Sequence, residues 1–139
     1  MQPWILYAIL SAVSASFVAI FGKIGISKVD STLATAVRAI IMAVFLVATC
    51  LSLGKFNLIK TIDNKALLFI TLSGIAGAIS WIFYFLALKN GPTSAVSAID
   101  KTSVVFVFIF ALLFLSEKFT WLKALGALLV GLGAIVMAI

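Results

Sequence analysis

Five stretches of predominantly apolar residues follow one another along this chain, over about 4–21, 33–53, 66–88, 93–115 and 121–139, with only short polar links between them. Each has about the twenty residues that a helix needs to cross roughly 30 Å of hydrocarbon. A water-soluble domain of this size cannot hide so much apolar surface, because its core is limited by surface-to-volume scaling. Ala, Val, Ile, Leu, Met, Phe, Trp, Tyr and Cys make up 65% of the 139 residues and charged residues 10%, against about 25% charged in a typical soluble domain. The mean hydropathy of +1.34 agrees. The pattern predicts an all-α integral membrane protein of the cell membrane: a multi-pass bundle of five transmembrane helices forming a single domain over residues 1–139. The first residues, Met1-Gln2-Pro3-Trp4, bring no basic region and no cleavage site follows. The first run is therefore read as a span rather than a targeting segment.

The links hold the helix breakers. Gly22-Lys23-Ile24-Gly25 leads into Ser27-Lys28-Val29-Asp30-Ser31, and Gly54-Lys55 into Lys60-Thr61-Ile62-Asp63-Asn64-Lys65. Lys89-Asn90-Gly91-Pro92 is a turn signal with Pro92 placed to open a helix, and Ser116-Glu117-Lys118-Phe119-Thr120 is the last link. Trp4, Tyr7, Phe119 and Trp121 stand at span ends, where interfacial aromatics are expected. With the N-terminus cytoplasmic, the inner links carry Lys55, Lys60, Lys65, Lys118 and Lys123, and the outer ones Lys23, Lys28 and Lys89. Basic residues favour the cytoplasmic side. The bias is small, so a cytoplasmic N-terminus is favoured only weakly and dual topology stays open.

The net charge of +6 raises the question of nucleic acid, but the basic residues form no tract and no stripe with aromatics. They read as topology charge beside anionic lipid, not as a nucleic-acid surface. A single cysteine, Cys50, excludes an internal disulfide, and the absence of histidine removes both an obvious metal-ligand set and a histidine base. No cofactor motif is present. The two acids of the fourth span region, Asp100 and Glu117, lie about 25 Å apart by helical rise, too far for a shared catalytic site. The chain is not read as an enzyme.

Small residues recur four apart on the fifth run, at Ala127 and Gly131 and at Val130 and Ala134, and on the third at Gly74 and Ala78 with Gly77 beside them. Such spacing lets two helix backbones approach closely. These positions are expected to pack helices within one protomer, with pairing of two protomers as the alternative.

Ionisable residues inside a span are costly and usually face a protein interior or a cavity. Arg38 lies in the second span, Asp100 and Lys101 in the fourth, and Lys23 at the end of the first. With the N-terminus inside, Arg38 is about 8 Å and Asp100 about 11 Å from the outer ends of their helices, Tyr84 about 6 Å and Trp81 about 11 Å. Four spans thus send polar or amphipathic groups to one half of the membrane, which predicts a polar cavity there, lined also by Ser80 and Ser97. Asp100 and Lys101 are adjacent and about 100° apart on a helix, so Asp100 is expected to find its partner on another helix, Arg38 first and Lys23 second. Lys101 is expected to extend outward along its own stem. A purely architectural pair is the alternative. Trp81 and Tyr84 favour a cationic or apolar solute; Lys23, Arg38 and Lys101 favour an anion. The residues leave that conflict open.

The order of these features resembles the EamA domain of the drug/metabolite transporter superfamily. The resemblance rests on Tyr84-Phe85-Leu86-Ala87-Leu88, Gly91-Pro92 with Ala95, Leu115-Ser116-Glu117-Lys118, then Trp121, Gly126 and Gly131-Leu132-Gly133-Ala134-Ile135. Phe21-Gly22-Lys23 and Arg38 carry it upstream, so it covers nearly the whole chain. It implies one EamA-like repeat of a transporter plan that often has two inverted repeats. A complete transporter would then need a second copy, in an antiparallel homodimer, or a related five-span partner in a heteromer. Family members often have a proline in the fourth span near Asp100-Lys101. This chain has none there, which puts any particular substrate in doubt. The function the resemblance implies is secondary transport of a small organic solute, with proton coupling through Asp100 as one option. A non-transporting assembly or regulatory protein and a lipid-headgroup carrier or flippase component are the rivals.

Overall fold

A computed structural model describes residues 2–139. The described residues are helical apart from short links. Helix α1 runs over Pro3–Gly25, α2 over Ser31–Ser52, α3 over Asn64–Asn90, α4 over Thr93–Asp100, α5 over Ser103–Phe114 and α6 over Trp121–Ala138. A short 3₁₀ helix, Lys55–Thr61, lies in the link between α2 and α3. With α4 and α5 taken as one run, five helical segments among the described residues are long and apolar enough to cross a membrane. Large apolar side chains such as Phe45, Leu113, Phe114 and Val136 stand exposed along them. Lipid is the medium that tolerates such a surface, and helices are the structures that satisfy their own backbone in it. The chain is an all-α, multi-pass membrane protein.

The helix ends follow from local chemistry. Asp30 caps α2, its carboxylate accepting from the Leu33 N–H at 2.9 Å, and Asp63 does the same for α3 through the Ala66 N–H at 2.7 Å. Gly54 ends α2 in the left-handed region, at φ 63°, where glycine has no steric cost. At the end of α5 that position falls to Ser116, at φ 53°. The Glu117 N–H closes the end by reaching back to the Ala111 carbonyl at 3.2 Å. Pro92 stands immediately before α4, and its carbonyl accepts the first bond, from the Val96 N–H at 3.0 Å.

The fourth span departs from the expectation of one uninterrupted helix over 93–115. It is two helices joined by a tight turn at Lys101-Thr102. No proline makes this break. The Lys101 N–H is shared between the Ser97 and Ala98 carbonyls, at 3.3 and 3.1 Å. Thr102 donates both its N–H and its hydroxyl to the Ile99 carbonyl, at 2.9 and 2.7 Å. Threonine hydroxyls compete with the regular ladder in this way, and three-residue bonds tighten the chain locally.

The backbone forms two compact units: α1 through Lys23 with Asn90–Ile139, and Ile24–Lys89. In the first, α6 packs along α4 and α5. Ala127 and Ala134 of α6 and Ala95 and Ala111 of the fourth span are buried. A Cβ at Gly131 would stand 3.7 Å from Val105 Cγ2, so the small residues of α6 serve helix contact as their spacing suggested. Phe119 in the last link bridges Phe108, at 6.1 Å between centroids, and Trp121, edge to face at 5.3 Å. In the second unit Ile26, Phe85 and Leu88 are almost wholly buried. The Lys89 ammonium donates to the Val29 carbonyl at 2.9 Å, tying the end of α3 to the link before α2.

Gly131→Leu should lower stability by about 1–3 kcal/mol, the usual cost of overpacking. Gly133→Leu, where an added Cβ meets nothing within 4 Å, should be nearly neutral. Thermal unfolding of the two variants in detergent, followed by circular dichroism, checks the contrast.

Candidate functional site

The second unit holds the cluster with the most chemistry. Arg38 lies seven residues into α2, about 10 Å along the helix from its start. Trp81 and Phe85 lie one turn apart on α3. The Arg38 guanidinium sits over the Trp81 ring, 3.6 Å from its centroid, and 5.3 Å from that of Phe85. A cation over an aromatic face is attracted by the ring quadrupole, most strongly over indole and more strongly where water is excluded. Tyr84 packs edge to face on Trp81 at 5.7 Å and on Phe85 at 6.0 Å. Three rings thus make one aromatic platform on the last turns of α3.

Beside this platform runs a groove of about 640 Å³ between α2 and α3. On α2 its lining runs from Thr32 to Leu46 with Arg38 near the middle, and on α3 from Gly74 to Trp81 and Ile82. Its volume comes from small side chains: Ala39 and Ala43 on α2, and Gly74, Gly77 and Ala78 on α3. A Cβ added at Gly74 or Gly77 would meet nothing within 4 Å. Within this chain these glycines leave space open and seat no other helix, which corrects the packing role within one protomer expected of them. Among the described residues the one charged side chain lining the groove is Arg38; Thr32 and Thr35 supply hydroxyls. Thr35 is buried, its hydroxyl donating to the Ser31 carbonyl at 2.7 Å. Ser80 and Tyr84 do not line this groove.

The remaining expected site residues belong to the first unit. The Lys23 ammonium donates to the Gly91 carbonyl at 2.9 Å, holding the end of α1 to the turn before α4. Asp100 pairs with its neighbour Lys101, at 3.0 Å. The pair joins neighbours on the chain, where a partner on another helix was expected, and Lys101 is largely exposed, in keeping with an outward-reaching stem. Adjacent positions do diverge around a helix, but a lysine's four-carbon stem is long enough to fold back to the preceding carboxylate. The pair also sits where the helix ends, at the turn joining α4 and α5. Ser97 lies one turn before Lys101, and its carbonyl accepts from the Lys101 N–H.

All four carboxylates of the sequence are accounted for. Asp30 and Asp63 cap helices, Asp100 pairs with Lys101, and Glu117 pairs with Lys123 at 3.1 Å. Arg38 is compensated by rings instead. The sequence reading missed Phe85 as the second ring, and Thr35, Ala39, Met42 and Gly77 as groove residues. The four-residue spacing of Ala39 with Ala43 and of Gly74 with Ala78 was the available signal. Among the described residues no group of three His, Cys, Asp or Glu side chains stands close enough to hold a metal ion.

An apolar bundle with one cation stacked inside a span suits a membrane protein of the transporter class. The sequence profile of the EamA-like transporter family matches residues 2–139. A protein of Sinorhizobium sp described as an uncharacterized transporter in the cobO 3' region is 36% identical over 138 residues, which cover 99% of this chain and 98% of that protein. No solved structure matches significantly. The chain belongs to the EamA family of the drug/metabolite transporter superfamily.

If the Asp100–Lys101 pair compensates charge within the span, Asp100→Asn and Lys101→Gln should each destabilise the protein more than half as much as the two together. A double-mutant cycle on unfolding in detergent should give a coupling of roughly 1 kcal/mol.

Proposed function

We propose that this chain is a secondary transporter, or a subunit of one, that moves a small organic solute across the membrane through the groove beside Arg38. The observation that carries the reading is the charged side chain held inside a span next to an open volume of about 640 Å³. Keeping a guanidinium there is costly, and such residues commonly mark solute paths. The volume is in the usual range for small-molecule sites, about 300–1,000 Å³. Family membership and the transporter description of the Sinorhizobium relative support the same reading.

One five-span repeat supplies half of an inverted-repeat transporter. We therefore propose that two copies assemble, in opposite orientations, or that a related five-span protein completes the pair. The Sinorhizobium relative is covered over 98% of its length, so it too is about one repeat long. The weak difference in basic residues between the two sides, five against three, suits a chain inserted both ways.

Purified protein in liposomes, containing both orientations and supplied with a mixed pool of small metabolites, should accumulate or release at least one of them. Runs with and without a proton gradient reveal the coupling. Arg38→Gln should reduce that flux at least tenfold in protein that still folds, and Gly77→Leu, which fills the groove, should do likewise. An absence of flux for every solute would sink the homodimeric transporter.

A further inference from the structure

We infer that the groove between α2 and α3 selects a singly charged organic anion, a carboxylate with an apolar body, and rejects cations of the same shape. The inference rests on the groove being the solute site proposed above. The residues by themselves pointed both ways, aromatic rings toward a cation and basic side chains toward an anion. Their geometry removes the conflict. The face of Trp81 that would attract a cationic solute already has the Arg38 guanidinium 3.6 Å above its centroid. A second cation would meet a ring face already covered and a like charge on top of it.

A guanidinium carbon 3.6 Å from the ring centroid suits face-to-face approach, and that geometry leaves the N–H edge for a ligand. Arginine can stack on an aromatic ring and still present its planar fork of donors to a carboxylate. Among the described residues no ion pair joins Arg38 to a carboxylate: Asp30 and Asp63 cap helices, Asp100 is paired with Lys101 and Glu117 with Lys123. The missing counter-charge is what an anionic ligand would bring, through the bidentate, charge-assisted bonds that arginine forms.

The rest of the lining sets the ligand's body and charge. From Arg38 to Leu46 the α2 side of the groove extends about 12 Å, through Met42 and the alanines. On α3 it passes Gly77 and Gly74. That length of apolar wall suits a hydrocarbon or aromatic tail. One arginine neutralises one charge, and no second cation lines the groove among the described residues. A dianionic phosphate would leave a charge unpaired against an apolar wall, at high cost. A monocarboxylate leaves none.

The test uses the full chain in lipid nanodiscs, with Trp4→Phe and Trp121→Phe so that Trp81 is the one indole reporting. Three probes share one shape: 3-phenylpropionate, 3-phenylpropionamide and 3-phenylpropylamine. The acid should change Trp81 emission saturably, at least tenfold more tightly than the amide, and the amine should give no saturable change. Arg38→Gln should erase the preference for the acid, and Arg38→Lys, which keeps the charge without the fork, should weaken acid binding about tenfold. Amine binding as tight as the acid's, undiminished acid binding in Arg38→Gln, or no saturable binding by any of the three would each overturn the inference. The readout is equilibrium binding, so the two proposals fail separately. Arg38-dependent acid binding without flux removes the transport reading alone, and flux that favours the amine removes the anion alone.

Discussion

A guanidinium inside a membrane span needs compensation, and Arg38 finds it over aromatic rings. A carboxylate partner would have made a closed ion pair, neutral to the outside and useful chiefly for fixing helix register. An indole partner does something different. The Trp81 face lowers the cost of keeping the cation in apolar surroundings without cancelling its charge. Phe85 and Tyr84 hold that ring from the sides. The charge stays uncancelled beside the groove.

The remainder of the fold is organised so that this is the case. Each acid has work elsewhere, at a helix start or on a neighbouring lysine. The small residues divide into two roles that share one spacing. On α6 they let helices touch, with Gly131 against Val105. On α3 they keep side chains out of the way, and Gly74 and Gly77 become volume. The fourth span, lacking a proline, still breaks, because Thr102 and Lys101 draw their bonds from carbonyls three residues back. A break inside an apolar run leaves a place where the chain departs from a rigid rod.

Much of this was legible in the sequence. The five apolar runs, the caps at Asp30 and Asp63 and the turn at Gly91-Pro92 are local signals, set by residues a few positions apart. Arg38, Trp81 and Tyr84 stood out because lipid tolerates few polar groups, so each one inside a span carries information. What escaped was pairing between helices and the reach of side chains. Nothing local in the sequence states that Arg38 lies over Trp81, since the two are brought together by α2 and α3 folding back on each other. The Asp100–Lys101 pair was missed because helical azimuth was taken as decisive where lysine length was. Gly74 and Gly77 were read as contact glycines because spacing alone cannot tell a glycine that admits a neighbour from one that leaves a space.

Transport beside Arg38 requires the groove to be open to water inside the membrane. Cys50, the one native cysteine, is first removed as Cys50→Ser. A single cysteine is then introduced either as Ala39→Cys in the groove or as Phe45→Cys, an exposed position on the same helix outside the groove lining. A small membrane-impermeant thiol reagent is applied to the protein in sealed liposomes. An open groove gives rapid modification at Ala39→Cys and slow modification at Phe45→Cys. Equal protection of both positions, with the introduced thiols reactive once the protein is unfolded, would contradict it, because Arg38 would then face lipid and not a solute path.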